Sequence, residues 1–388
     1  MPDAPHGSGQ DVRGPIDPPV LRPARRRRLW VLGAFATTIL VVSGVVVVQR
    51  VGAPDGPTPA APSPTSGAVL PEDYPFSAGS VWRQDISDAP VADDSAAQVA
   101  NVVRQVDDHF GGVAAFNVNR FQAAFYTVGP DQETVDVAFD DCQDKGYEAE
   151  GLTGEEGQFT DVPIPTDAVP AAGTDGQLTI YSPSSDALWE LWKAAKTADG
   201  GWQACWGGRI DDVSTAQGYF RNGFGASASG LAISGGMVWV DDARAGVIDH
   251  ALSLQLMEAR HWKTFSWPAQ RSDGNTHDED AVMEGARLRL DPSVDVNSLD
   301  LNPVAAMIAK AAQTYGFIVT DRAGSVAITA EAGQERTGDA DPWPVLMDGA
   351  ESWNVMADFP WGDLQVLPRD YGKPAPTASA SSASAEAS

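Results

Sequence analysis

The chain has 388 residues, two cysteines, 43% apolar residues and a formal charge of −27. That length allows two or three ordinary domains, or one large β-domain with attachments. So acidic a body would be repelled by phosphate backbones, which excludes nucleic-acid binding, whereas the same charge keeps an envelope-facing protein soluble.

The charge is unevenly spread. Residues 1–50 carry seven arginines against three aspartates, leaving 19 basic and 50 acidic residues downstream. Residues 1–28 are rich in Pro, Gly and Arg and read as a disordered cytoplasmic tail. Residues 29–48, LWVLGAFATTILVVSGVVVV, hold no charge. At 1.5 Å per residue they span about 30 Å as a helix, the thickness of a bilayer core. The arginines before this run, four of them consecutive (Arg25 to Arg28), put the N-terminus in the cytoplasm and the rest outside. The expectation is a single-pass anchor with an extracytoplasmic domain. Residues 49–69, with five prolines among small residues, form a semi-rigid linker. Residues 372–388 are an Ala/Ser-rich tail with nothing to bury.

The folded part is expected over 70–371. Two helices are readable there. Asp94 or Ser95 starts one whose Val99, Val102, Val103 and Val106 share a face, with Gly111 as its stop. Asn302 caps the other, Pro303 takes its first turn and Gly316 ends it. Most of the rest reads as strands punctuated by glycine: TVDVAF (134–139), QLTIY (177–181), ALWELW (187–192), GWQACW (201–206), MVWV (237–240), IDHALSLQLM (248–257), ARLRL (286–290), FIVT (317–320) and SVAIT (325–329). The last two look like a hairpin. With no βα alternation and no Gly-rich phosphate loop, the fold class is mainly β, an antiparallel, jelly-roll-like sandwich with a few helices. Cys142 and Cys205 are the only thiols, and an oxidising compartment favours a disulfide between them over two free thiols.

From about Pro163 to Ile328 the text carries VPIP (162–165), GTDG (173–176), WELW (189–192), WGGRI (206–210), GASASGL (225–231), DHAL (249–252), WPA (267–269), EGARLRLDP (284–292) and AAQTYGFIV (311–319). In that order they resemble an uncharacterised family of bacterial secreted or envelope proteins. The resemblance implies that this block is one unit, and it brings no activity with it.

Three constellations are candidates for chemistry. Strand alternation sets His250 in an apolar stripe with Ile248, Leu252 and Leu254, either as a general acid/base in a cleft or as a core histidine bonded to a carbonyl. In WELW, Glu190 and Trp192 share one face and Trp189 the other. A carboxylate beside an indole is a common way to hold a sugar, and glycoside cleavage adds a second carboxylate at a set distance. Glu284, Asp249 and Asp291 are partners of the right type. Core tryptophans with Glu190 paired to an arginine is the structural alternative. Finally, the loop 272–285 clusters Asp273, Asp278 and Asp280, oxygen ligands of the kind calcium prefers but without EF-hand spacing. No metal-ligand spacing for zinc is present. The functional expectation is a membrane-anchored module that recognises a polysaccharide or other envelope glycan. Its alternatives are a glycoside hydrolase or lyase using Glu190, His250 and Glu284, and a non-catalytic structural or partner-binding protein.

Overall fold

A computed structural model describes residues 69–333 and 340–375. The expected membrane helix at 29–48, the N-terminal tail, the linker up to 68 and the tail beyond 375 lie outside them. No helix among the described residues is long and apolar enough to cross a membrane.

The described residues are mainly β. The strands are β1 (Ala115–Asn117), β2 (Phe125–Thr127), β3 (Val137–Phe139), β4 (Leu178–Ser182), β5 (Ala187–Trp192), β6 (Ala195–Lys196), β7 (Trp202–Ala204), β8 (Trp206–Asp211), β9 (Leu252–Leu256), β10 (Arg287–Leu290), β11 (Phe317–Arg322), β12 (Ala327–Thr329) and β13 (Leu364–Val366). The helices are α1 (Ser95–Asp107), α2 (Ile233–Gly236), α3 (Val240–Ala245), α4 (Pro303–Thr314) and α5 (Trp343–Leu346).

Both expected long helices form, α4 for the expected reasons; in α1 Asp94 takes the N-cap position without a side-chain cap bond, and the helix ends at Asp107, before Gly111. The Asn302 side chain accepts the Val304 N–H at 3.0 Å, and Pro303 fills the position whose N–H needs no partner. Val304, Met307, Ile308 and Ala311 then pack as one buried stripe. Gly316 ends the helix at φ +74°, where a Cβ would also lie 2.3 Å from the Leu288 carbonyl oxygen. In α1 the buried face is Val99, Val102 and Val106, and Gln105 Oε1 accepts the N–H groups of Met257 and Glu258, pinning the chain after β9.

The strands assemble into three sheets, ordered β1-β12-β9-β11-β10-β13, β2-β4-β5-β8 and β3-β7-β6. They are mixed rather than wholly antiparallel: β1 and β12, β9 and β11, β2 and β4, and β3 and β7 pair in parallel. The expected hairpin of FIVT with SVAIT does not form. β9 inserts between them, parallel to β11 and antiparallel to β12. Leu252, Leu254 and Leu256 are fully buried, and a central position pairs both edges of so apolar a strand. MVWV is no strand either. Val238 makes one bridge to Ala330, and Asp242 then accepts the Trp239 N–H at 3.0 Å, starting α3 at Val240. GWQACW splits at Cys205, its first part pairing with β3 and its Trp206 beginning β8 beside β5.

Two large apolar clusters fill most of the interior of the described residues, and a small third one gathers Ile86, Ala89 and Leu367. Of the large ones, one joins α1 and α4 to the six-stranded sheet, and the other lies around the two smaller sheets. Cys142, in the turn after β3, is bonded to Cys205, with Cα atoms 5.6 Å apart. The bond closes a loop across a sequence separation of 63 residues. Loop-closure entropy assigns such a link about 4 kcal/mol. Replacing both cysteines with alanine should therefore lower the denaturant midpoint by a corresponding amount. Superimposable unfolding curves of the variant and the parent would contradict this.

Candidate functional site

Glu190 lies on β5 opposite Gly208 of β8, facing the glycine-rich segment 223–236. That segment packs flush because Gly208 has no side chain: a Cβ there would lie 2.7 Å from the Gly225 nitrogen. Within the segment, Glu190 Oε2 accepts the Ile233 N–H at 3.0 Å, and Oε1 accepts the Ser234 N–H and hydroxyl, both at 2.9 Å. The carboxylate thus satisfies the open N–H groups at the start of α2. Burial drives its pKa up to about 7, and these three bonds hold it from rising further.

The α2 turn carries the network onward. Cβ atoms at Gly235 and Gly236 would lie 2.2 and 2.4 Å from the Trp82 ring, so both positions must be glycine for Trp82 to pack there. The Gly235 carbonyl accepts the Tyr74 hydroxyl at 2.7 Å, and the Tyr74 ring stacks on His250 at 4.9 Å. His250 Nδ1 lies 2.8 Å from the Ala251 carbonyl oxygen, which can only accept, so Nδ1 carries hydrogen. Nε2 is 3.1 Å from Asp242 Oδ2, and one further proton, on either side, completes that contact. Burial raises the Asp242 pKa, and the charge of His250 opposes the rise. Glu190 and His250 are the two ends of one interior network, and neither has any solvent exposure.

Glu284 belongs to a different group. It is fully buried, and its Oε1 accepts the Asp273 N–H at 3.4 Å. Burial, helped by the neighbouring Asp273 and Asp321 carboxylates, pushes its pKa up to about 10, so it is neutral at pH 7. Asp321, at the end of β11, accepts the N–H groups of Ala228 and Arg322. Its pKa rises to about 7 by burial, with the charges of Asp273 and Asp175 adding to the rise. Arg271 stands among these acids. It donates to the carbonyls of Gly225 and Ser227 and lies 5.8 Å above the Trp206 ring.

That arginine connects the acid group to a pair of half-buried indoles. Trp192 and Trp206 are direct cross-strand partners, so they share one face at the end of the sheet. The Trp192 indole N–H donates to Asp175 at 3.4 Å, and Lys193 stands 5.0 Å from its ring. Trp206 stacks on Phe224, has Lys145 at 5.9 Å, and walls a small recess of about 70 Å3 with Tyr147 and Cys205. Half-exposed rings bordered by Asp, Lys and Arg can cover an apolar ligand face while the charged groups bond its polar rim.

The other sequence candidates are dispersed. Trp189 points away from Glu190 and is 5% exposed, inside the apolar cluster. Asp249 accepts the Val69 N–H and the Tyr315 hydroxyl. Asp291 takes the Ser293 N–H, which lowers its pKa, and also bonds Gln365. Asp273 pairs with Arg322 at 3.8 Å, whereas Asp278 accepts from Asn101 and from the Asp280 N–H. Asp321 and Arg271 are not among the sequence candidates. Asp321 ends a strand where a turn was expected, and nothing local marks its burial.

No family model, no curated protein and no solved structure matches this chain.

Glu284 and Asp321 make stability fall as pH rises. Each binds its proton more tightly folded than unfolded, so the stabilisation present below about pH 4.5 or 3.8 is lost toward about 10 and 7 respectively. Glu284→Gln keeps the shape and removes the titration. It should flatten the pH dependence of the melting midpoint and raise that midpoint at pH 8 by about 2 °C or more. A parallel, undiminished slope in the variant would refute the assignment.

Proposed function

We propose that the described residues form the extracytoplasmic, glycan-recognising part of a protein anchored in the membrane through residues 29–48. The observation that carries this reading is the in-register pair of half-buried indoles, Trp192 and Trp206, bordered by Asp175, Lys193, Lys145 and Arg271. The two rings supply apolar area for the flat face of a pyranose, and the charged side chains supply its hydroxyls with donors and acceptors. In that reading the two larger sheets are the layers of a jelly-roll-like sandwich, and the indoles stand on its rim.

Recognition is favoured over hydrolysis by what the acids do. Glu190 is engaged by three hydrogen bonds inside the protein, and His250 is closed off between Tyr74 and Asp242. Neither is positioned to touch a polymer at the surface. One feature favours the hydrolase as second reading: the neutral carboxyl of Glu284 next to the half-exposed Asp273, a proton donor beside an acceptor.

Affinity electrophoresis of the full-length protein in soluble envelope polysaccharides, with peptidoglycan pull-down, tests the proposal. Trp192→Ala should weaken retention by roughly 30-fold, the loss of a central aromatic contact worth about 2 kcal/mol, and Trp192→Phe should restore most of it. Absence of retention by the unaltered protein would end this reading. Release of reducing ends that stops in Glu284→Gln would replace it with the hydrolase.

A further inference from the structure

A cleft of about 590 Å3 opens beside β3, walled by Asp136, Glu148, Glu155 and Phe159, a volume typical of ligand sites. One of its sides is a strand edge. β3 pairs with β7 through alternate residues: the Asp140 N–H donates to the Ala204 carbonyl at 3.0 Å, and Ala138 turns the same way. Val137 turns the other way, and its N–H donates to the Phe159 carbonyl at 2.9 Å. Two residues earlier, Val135 exchanges both backbone bonds with Val162, each at 2.9 Å. The chain 159–162 therefore covers the first half of this edge.

It does not cover the second half. The Phe159 N–H turns back to the Leu152 carbonyl at 2.9 Å, and the Gln158 N–H to the Gly151 carbonyl at 3.0 Å. The Val137 carbonyl and both backbone groups of Phe139 are left facing the cleft, without a hydrogen bond among the described residues. An unpaired strand edge is a template for another extended chain.

Charge says which chain. Residues 131–161 hold eleven acidic side chains and a single basic one, Lys145. Asp136 and Glu148 hold their positions through the N–H groups of Asp161 and Thr153, while Glu155 is exposed and makes no hydrogen bond or ion pair among the described residues. We propose that this cleft binds an extended, lysine- or arginine-bearing segment of a partner protein, which adds one short strand to the open end of β3. The Phe139 N–H and C=O fix the added backbone, the partly exposed Phe139 ring receives an apolar side chain, and the carboxylates select its cations. A cationic amino sugar satisfies the carboxylates but presents no backbone at ladder spacing.

Fluorescence anisotropy on the full-length protein tests this with a labelled hexapeptide of alternating Val and Lys. The expected results are saturable binding, at least tenfold loss when the peptide's edge-facing amides are N-methylated, and no binding of the Val–Glu counterpart. Glu155→Lys should also weaken binding about tenfold at an unchanged melting midpoint, because its side chain is exposed. Absence of binding overturns the proposal. So does equal affinity for the N-methylated peptide, which would make the contact charge alone, or tighter binding of a glucosamine oligomer in competition for the same cleft.

Discussion

The arrangement depends on one buried carboxylate set against the start of a helix too short to stand alone. α2 has four residues, and its own N-cap, Ala232, offers no side-chain acceptor. Glu190 supplies the acceptor from across the four-stranded sheet, satisfying two backbone N–H groups and a hydroxyl that would otherwise be orphaned in the interior. With α2 fixed, its two glycines seat the Trp82 ring, whose indole N–H donates to Gly218 and whose carbonyl accepts the Ala251 N–H at 2.7 Å. Ala251 leads directly into β9, the inner strand of the six-stranded sheet. A chain of specific bonds therefore runs from one sheet to the other through Glu190, and the Tyr74–His250–Asp242 group braces it from the side.

Burying acids also changes what the net charge means. The value of −27 counts every carboxylate as ionised. At neutral pH Glu284 is uncharged, and Glu190 and Asp321 titrate near 7. The interior thus relieves part of the self-repulsion that so acidic a chain carries. Arg271 works in the same direction, because its charge lies among these acids while its hydrogen bonds hold the glycine-rich segment over Trp206.

How much of this the sequence disclosed follows from the range of each interaction. α4 was legible to its ends because cap, proline and glycine are local signals. β5 was legible because ALWELW is a short apolar and aromatic run of strand length, and five of its six positions are buried. The disulfide followed from an even count and the expectation of an oxidising compartment. Pairing was not legible: β9 lies between β11 and β12 because of long-range burial, which no local pattern encodes. The 237–240 segment failed for a related reason, since the Asp242 side chain reaches back to the Trp239 N–H and starts a helix inside an apparent strand.

The candidate site shows the same limit in a sharper form. A polar residue within an apolar strand demands compensation, and the sequence cannot say whether a ligand or the protein provides it. For Glu190 the compensation comes from residues 233 and 234, more than forty positions away, and for His250 from Asp242 and the Ala251 carbonyl. Both are therefore accounted for within the fold. Trp192 differs because its indole N–H is held by Asp175 while its ring stays half-exposed. A fixed ring with an open face is what a stacking contact requires, since the entropy of ordering the side chain is spent before any ligand arrives. Trp206 gains the same fixity from Phe224 and Arg271, and its position follows from the strand break at Cys205, which the disulfide to Cys142 anchors. The link that ties the turn after β3 to the junction of β7 and β8 therefore also fixes the end of the sheet on which the two indoles stand.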